Sequence, residues 1–278
     1  YEGIMDSNLG IRDPTSVVLP AYFQGLKSKQ WMMLDSGSTN VMITAPLAKK
    51  LGLKEIEGAA YAGLGTEKVR RTAWVLIPSL KMGSLTIQNV PAIIISKKSD
   101  FWDRISGIIP LSLFNRFAVE YDRRHGNLTL YPSGTDPAKI MGQGTFTVPS
   151  LWFNDRPYIQ ADINGHAKRY CLLDTGSTDL YLALEHADEL GLSMKTAKYN
   201  RQVVTGMAGS AAANVAEQVV IKMGTGEFQM PTVQVMKLDE DNNFIDCYGL
   251  FGRQLLDLFE IVFDYRKNVV AFRGYDKH

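Results

Sequence analysis

Asp35 and Asp174 are the residues of this 278-residue chain best placed to do chemistry. Each opens the same five-residue turn: Asp35-Ser36-Gly37-Ser38-Thr39 recurs as Asp174-Thr175-Gly176-Ser177-Thr178, 139 residues later (174 − 35). An apolar run precedes each, Trp31-Met32-Met33-Leu34 and Cys171-Leu172-Leu173. A lone Asp-Ser-Gly is most often an ordinary turn. A turn built twice can bring two carboxylates to one site, where like charges resist double ionisation and one proton is shared. One acid beside one base is what hydrolysis by an activated water requires.

The elements that must position these aspartates are also repeated. Leu47-Ala48-Lys49-Lys50-Leu51-Gly52-Leu53 matches His186-Ala187-Asp188-Glu189-Leu190-Gly191-Leu192, and Lys81-Met82-Gly83 matches Lys222-Met223-Gly224. Gly107-Ile108-Ile109 matches Gly249-Leu250-Phe251, and Phe117-to-Asp122 matches Phe259-to-Asp264. The chain therefore reads as two copies of one unit of roughly 130 residues. Strand patterns dominate. Tyr158–Ile163 and Lys168–Leu173 flank Asn164-Gly165, a strong hairpin signal. A short helix is expected after each motif, with Pro46 in its first turn and Gly52 or Gly191 at its end. Further short helices are expected around Leu113-Phe114 and Leu255-Leu256, whose side chains, with Phe117 and Phe259, read as core. Gly-rich stretches sit at Tyr61-Ala62-Gly63-Leu64-Gly65 and at Gly206-Met207-Ala208-Gly209. Pro132-to-Pro137 reads as a linker, which places the units at 1–140 and 141–278.

An apolar fraction of 45% with 21% charged residues fits a globular domain, and a net charge of +1 argues against a nucleic-acid partner. No apolar run reaches the roughly 18 residues of a membrane span. The four histidines (His125, His166, His186, His278) show no ligand spacing with the two cysteines, so no metal or other cofactor is expected. His125 and His166 fall in expected turns with no partner evident from sequence. Cys171 and Cys247 read as buried free thiols, with a disulfide open if their strands are neighbours. Lys97-to-Arg104 reads as a solvated charged loop packing one Trp.

The motifs resemble those of the aspartic peptidases, Asp-Thr/Ser-Gly-Ser/Thr followed by an apolar-apolar-Gly segment. The Ala-x-x-Leu-Gly-Leu helix is most similar to the small bacterial retropepsin-like proteins, here as two tandem units. This resemblance implies an all-β, bilobal acid-protease fold of two homologous β-barrel lobes. It implies an endopeptidase in which Asp35 and Asp174 activate water between the lobes. Gly37 and Gly176 would permit the tight turns, and the Ser36 and Thr175 hydroxyls would brace the two loops against each other. Ser38 and Ser177 hydroxyls would donate to the outer carboxylate oxygens, favouring the charged form and acidic activity. The Gly-rich stretches (Tyr61, Gly63, Leu64, Gly65; Gly206, Met207, Gly209) would close as flaps over an extended peptide. Tyr61 stands where the two-lobed enzymes keep a flap tyrosine, and the second unit has no counterpart.

The partner implied is a peptide or protein, bound by a monomer with an internal pseudo-two-fold. A chain that begins at Tyr1 is expected to have lost an upstream segment, and with the family resemblance this favours a periplasmic or secreted protein. Two alternatives remain at this level: a non-catalytic peptide-binding module on the same fold, and an actin-like kinase or ATPase, whose phosphate loop carries a similar Asp-x-Gly motif.

Overall fold

The computed structural model describes residues 2–4, 17–63, 66–95, 105–194, 202–205, 210–238 and 245–275. The first unit forms β1 (Glu2–Ile4), β2 (Val18–Phe23), β3 (Gln30–Asp35), β4 (Val41–Thr44), helix α1 (Ala45–Lys50), β5 (Ile56–Gly63), β6 (Thr66–Met82), β7 (Leu85–Ile95), β8 (Gly107–Pro110), β9 (Phe117–Asp122) and β10 (Asn127–Pro132). Helix α2 (Pro137–Met141) leads into β11 (Phe146–Phe153), β12 (Arg156–Ile163), β13 (His166–Leu173), β14 (Leu180–Ala183), β15 (Gln202–Thr205), β16 (Ser210–Met223), β17 (Gly226–Met236), β18 (Cys247–Phe251), helix α3 (Arg253–Leu256), β19 (Phe259–Asp264) and β20 (Val269–Gly274).

Strands of the first unit lie in the order β2-β3-β8-β4-β7-β6, and β6 returns to pair with β2, closing a barrel. The second unit repeats this as β12-β13-β18-β14-β17-β16, closed by β12 against β16. The two orders match strand for strand, so the expected all-β architecture of two homologous barrels holds. In each barrel the aspartate strand runs parallel to the Gly-apolar-apolar strand: β3 beside β8, β13 beside β18. Such strands are covered on both faces and need continuous apolar runs. Accordingly β4 (VMIT), β8 (GIIP) and β14 (LYLA) are buried at every position. Gly107 is required where β8 passes β4, because a Cβ there would collide with the Met42 carbonyl oxygen.

The Asn164-Gly165 hairpin forms as expected, with φ of +55° and +83°, the primed geometry that suits a two-residue turn. The post-motif helix is α1 in the first unit. Its counterpart is a 3-10 turn at Leu184–His186, continued by separate turns such as Leu190 N–H to His186 O. The order is reversed near Leu113, where the first unit has a 3-10 turn at Leu111–Phe114 and the second has α3. Leu255 and Phe259 are buried, while Leu113 and Phe117 pack against the core partly exposed.

The matched closing strands of the two units pair with each other. β9 lies antiparallel to β19, with Tyr121 opposite Ile261 and Val119 opposite Phe263, in the sheet order β1-β10-β9-β19-β20-β11. The segment after β10 is anchored to this sheet. Asp264, 2% exposed, accepts hydrogen bonds from Ser133 Oγ (2.7 Å), Gly134 N (2.6 Å), Arg266 N (3.1 Å) and Lys267 N (3.2 Å). Asp136 then caps α2 by accepting from Ala138 N at 3.0 Å. Removing a buried acceptor with several donors leaves those donors unsatisfied. Asp264→Ala should therefore cost about 3 kcal/mol of unfolding free energy, measurable by denaturant titration.

Candidate active site

β3 ends on Asp35 and β13 ends one residue before Asp174, and each carboxylate is caught by the turn that follows it. Asp35 Oδ1 accepts from Gly37 N (2.8 Å) and Ser38 N (3.0 Å). Asp174 Oδ1 accepts from Gly176 N (2.8 Å) and Ser177 N (3.2 Å). The two turns face one another and are joined by four crossed hydrogen bonds. Ser36 N donates to Thr175 Oγ1 (3.0 Å) and Thr175 N to Ser36 Oγ (2.9 Å). The Ser36 hydroxyl donates to Leu173 O (2.7 Å) and the Thr175 hydroxyl to Leu34 O (3.2 Å). Both hydroxyl residues are fully buried, so these bonds leave no donor of the brace unsatisfied.

This brace presses each motif glycine against the opposite aspartate. A Cβ on Gly37 would lie 2.6 Å from Asp174 Cγ, and one on Gly176 would lie 2.5 Å from Asp35 Cγ. The aspartates hydrogen-bond each other. Burial raises Asp35 well above the ordinary carboxylate range, and the neighbouring Asp174 charge raises it further. Burial also raises Asp174, opposed by its hydrogen bonds to Asp35, Gly176 and Ser177 and by the charge of Arg156. Each aspartate nevertheless keeps part of its surface accessible.

The Ser38 and Ser177 side chains do not serve as expected. Their hydroxyls donate to Asn40 O (3.0 Å) and Asp179 O (3.3 Å), and their backbone N–H groups take the carboxylates instead. Those N–H groups favour the charged form, but burial outweighs them and the net shift is upward. The folded pair thus holds protons more tightly than the unfolded chain does. Its contribution to stability is complete below the ordinary carboxylate pKa and is lost as pH rises through the raised values. Glu260, pushed up to about 7 chiefly by burial and by its hydrogen bond to Glu120, acts with the same sign. The thermal midpoint should therefore fall as pH rises from about 4 to 7. Asp35→Asn should flatten that fall, which scanning fluorimetry across pH would read.

Beside each aspartate strand lies a small apolar cluster. In the first barrel it contains Met33, Met42, Tyr61, Ile93 and Ile108. In the second it contains Tyr158, Leu172, Tyr181, Met236 and Leu250. Met33 and Leu172 each precede their aspartate by two residues, so strand alternation puts them on its face. Tyr61 is 8% exposed in the first cluster. Gly63 ends β5 opposite Thr66, and β15 meets β16 at Thr205 opposite Ser210. The expected flap residues Leu64, Gly65, Gly206, Met207 and Gly209 lie outside the described residues, as does the whole Lys97-to-Arg104 loop.

Other candidates are placed as follows. β13 and β18 are neighbours, yet Cys171 and Cys247 are both free. Cys171 points into the main core with Leu173, and Cys247 packs on the opposite face beside Leu172. His125 does have a partner, Asp122 Oδ2 at 2.7 Å, and Asp122 also accepts from Tyr275 OH at 2.8 Å. Among the described residues no group of three or more His, Cys, Asp or Glu could hold a metal ion, and no helix is long and apolar enough to cross a membrane. Arg156, whose charge reaches Asp174, was not singled out from sequence.

The fold and this site can be set against known proteins. No curated protein sequence matches the chain. Among solved structures, an aspartic proteinase from Irpex lacteus is similar, with a TM-score of 0.58, 14% identity, and coverage of 95% of this chain and 96% of that one. At that identity the likeness is one of fold, and the fold is pepsin-like. Neither this likeness nor the family favours an actin-like kinase. The sequence model of the aspartyl protease family matches residues 19–110 and again 159–255. The two matches span both barrels and most of the chain, and the protein belongs to the aspartyl protease family.

Proposed function

We propose that the protein is an aspartic endopeptidase whose single site is shared between its halves, 1–140 and 141–278, in one monomeric chain with an internal pseudo-two-fold. The observation that carries this reading is the contact of Asp35 with Asp174 through turns that are braced together from both sides. Family membership supports a protease-type hydrolase, and the paired carboxylates supply its chemistry.

In the working form one proton is shared by the pair. The ionised carboxylate takes a proton from a water while the water oxygen bonds to the scissile carbonyl carbon. The protonated carboxyl gives its proton to the carbonyl oxygen, so a neutral gem-diol forms and the dyad's charge is unchanged. Collapse returns a hydroxyl proton to one carboxylate and delivers a proton to the leaving nitrogen, breaking the C–N bond. Because burial raises both carboxylates, the singly protonated state persists above the ordinary carboxylate range, which widens the acidic window toward neutral pH. The apolar clusters around Met33 and Leu172 would flank the scissile bond and favour apolar side chains. The β5–β6 and β15–β16 hairpins would close over an extended substrate. A periplasmic or secreted location suits such an enzyme.

A diverse peptide library assayed from pH 3 to 8, with and without a hydroxyl-bearing transition-state analogue, tests this reading. Analogue-sensitive cleavage is expected. Absence of cleavage at every pH would contradict it and favour a binding module.

A further inference from the structure

We propose that Gln234 is a specificity-determining residue: its side-chain amide selects, on the second half's side of the scissile bond, a substrate side chain ending in N–H donors. The matching place on the first half takes an apolar side chain. The inference deepens the peptidase reading and rests on it.

The placement follows from register. Met33 and Leu172, each two residues before its aspartate, start matched rows of side chains on the aspartates' face. In the first barrel Met33 pairs with Ile108, Ile108 with Met42, Met42 with Ile93 and Ile93 with Trp74. In the second Leu172 pairs with Leu250, Leu250 with Tyr181, Tyr181 with Gln234 and Gln234 with Val215. Paired residues on neighbouring strands project from the same face of a sheet. The rows therefore correspond place for place, and Gln234 stands where the first half has Ile93.

The exchange puts an amide into an apolar surrounding. Ile93 is 1% exposed and packs among apolar side chains. Gln234 Oε1 is buried and has no hydrogen-bond partner among the described residues. Its neighbours supply no donor. The Tyr181 hydroxyl donates to Asp179 Oδ2 at 3.2 Å, which also accepts from Thr178 Oγ1 at 2.7 Å. Val215 and Met236 carry apolar side chains, and Met236 packs in the cluster with Tyr181 and Leu172. An unpaired buried amide oxygen is destabilising, and a donor brought by a ligand relieves it. Gln234 as a whole keeps part of its surface exposed. Turning its amide outward breaks no bond to the oxygen, and the last torsion of glutamine is soft.

A second exchange points the same way. Asp179, on the same strand side as Tyr181, has Asn40 as its counterpart in the first half, at the spacing of the repeat. The second half thus adds a carboxylate as well as an orphaned acceptor, and both call for a donor. Gln234 lies three strands from Leu172, about 14 Å along the row at about 4.8 Å per strand. An extended substrate advances about 3.4 Å per residue, so the selected residue lies within about four positions of the scissile bond.

The test is cleavage-site profiling of the full chain with a peptide library. Glutamine, asparagine or lysine should be enriched at one position on one side of the scissile bond. There, kcat/KM for a glutamine peptide should exceed that for its methionine counterpart by about 10-fold, because the methionine leaves the amide unpaired. Gln234→Met should abolish or invert that ratio. Gln234→Ile, which copies the first half, should do the same, with the preferences at other positions retained. An unchanged profile in both variants, or a loss spread evenly over all positions, would overturn the assignment. The same two peptides, bound to Asp35→Asn protein and read by fluorescence anisotropy, should differ about 10-fold in Kd, and Gln234→Met in that background should remove the difference. Equal Kd values before that change would also overturn it. The binding arm reads Gln234 whether or not peptide is cleaved, so failure of the hydrolytic reading in the library assay is a separate result.

Discussion

Asp35→Asn and Asp174→Asn are each expected to lower kcat/KM for peptide cleavage by about 10³-fold or more, with the fold retained. In the proposed mechanism each carboxylate supplies half of a proton relay, and a positioned acid or base commonly contributes about 10²–10⁴-fold. An amide can neither take the proton from water nor deliver one to the carbonyl. It can still accept the N–H bonds that hold the carboxylate, at 2.8 and 3.0 Å for Asp35 and at 2.8 and 3.2 Å for Asp174. The Ser36–Thr175 brace does not involve the carboxylates, so the halves should stay joined. Loss of a buried charge should even raise stability at neutral pH. The Asp35→Asn, Asp174→Asn double variant should be little worse than either single one, because groups acting as a unit are not additive. Steady-state kinetics with parallel thermal unfolding would check this. Near-normal cleavage by either single variant would remove that aspartate from the mechanism.

Gly37→Ala and Gly176→Ala should also be severe, although neither removes a titratable group. The added Cβ would lie 2.6 Å from Asp174 Cγ in the first case and 2.5 Å from Asp35 Cγ in the second. Real Cβ atoms do not approach so closely, and the carboxylate cannot retreat without breaking its own N–H bonds. The turns must separate, which strains a brace whose hydroxyls are fully buried. A displacement of about 1 Å at a reacting group can cost 10²-fold in rate. We expect that loss in kcat, accompanied by roughly 1–3 kcal/mol of destabilisation. Because the dyad is pulled apart, the two ionisations in the pH–rate profile should also draw closer together. Alanine at either position with kinetics like the unmodified enzyme would contradict the close facing of the turns.

Much of this was legible in the sequence because it is local or repeated. The duplicated Asp turn, the Gly107 and Gly249 strands, and the Asn164-Gly165 hairpin are each short and carry their own chemistry. What was not legible depends on distant partners or on parity. Closure of the first barrel is made by Tyr22 opposite Lys81, a pairing that no local pattern encodes. Ser38 and Ser177 differ from expectation because the backbone N–H groups of the same turns already occupy the carboxylate oxygens, which leaves the hydroxyls to the Asn40 and Asp179 carbonyls. Cys171 and Cys247 lie on adjacent strands but on opposite faces, so neighbourhood did not make a disulfide.

The most direct test of a site shared between the two halves of one chain is a mixing experiment. Asp35→Asn and Asp174→Asn proteins are assayed separately and together, and the specific activity of the unmodified enzyme is followed over a hundredfold range of concentration. A site completed within each chain predicts that the mixture stays as inactive as its components, and that specific activity does not change with dilution. Recovery of cleavage on mixing, or loss of specific activity on dilution, would show that the aspartates meet between chains and would contradict the account.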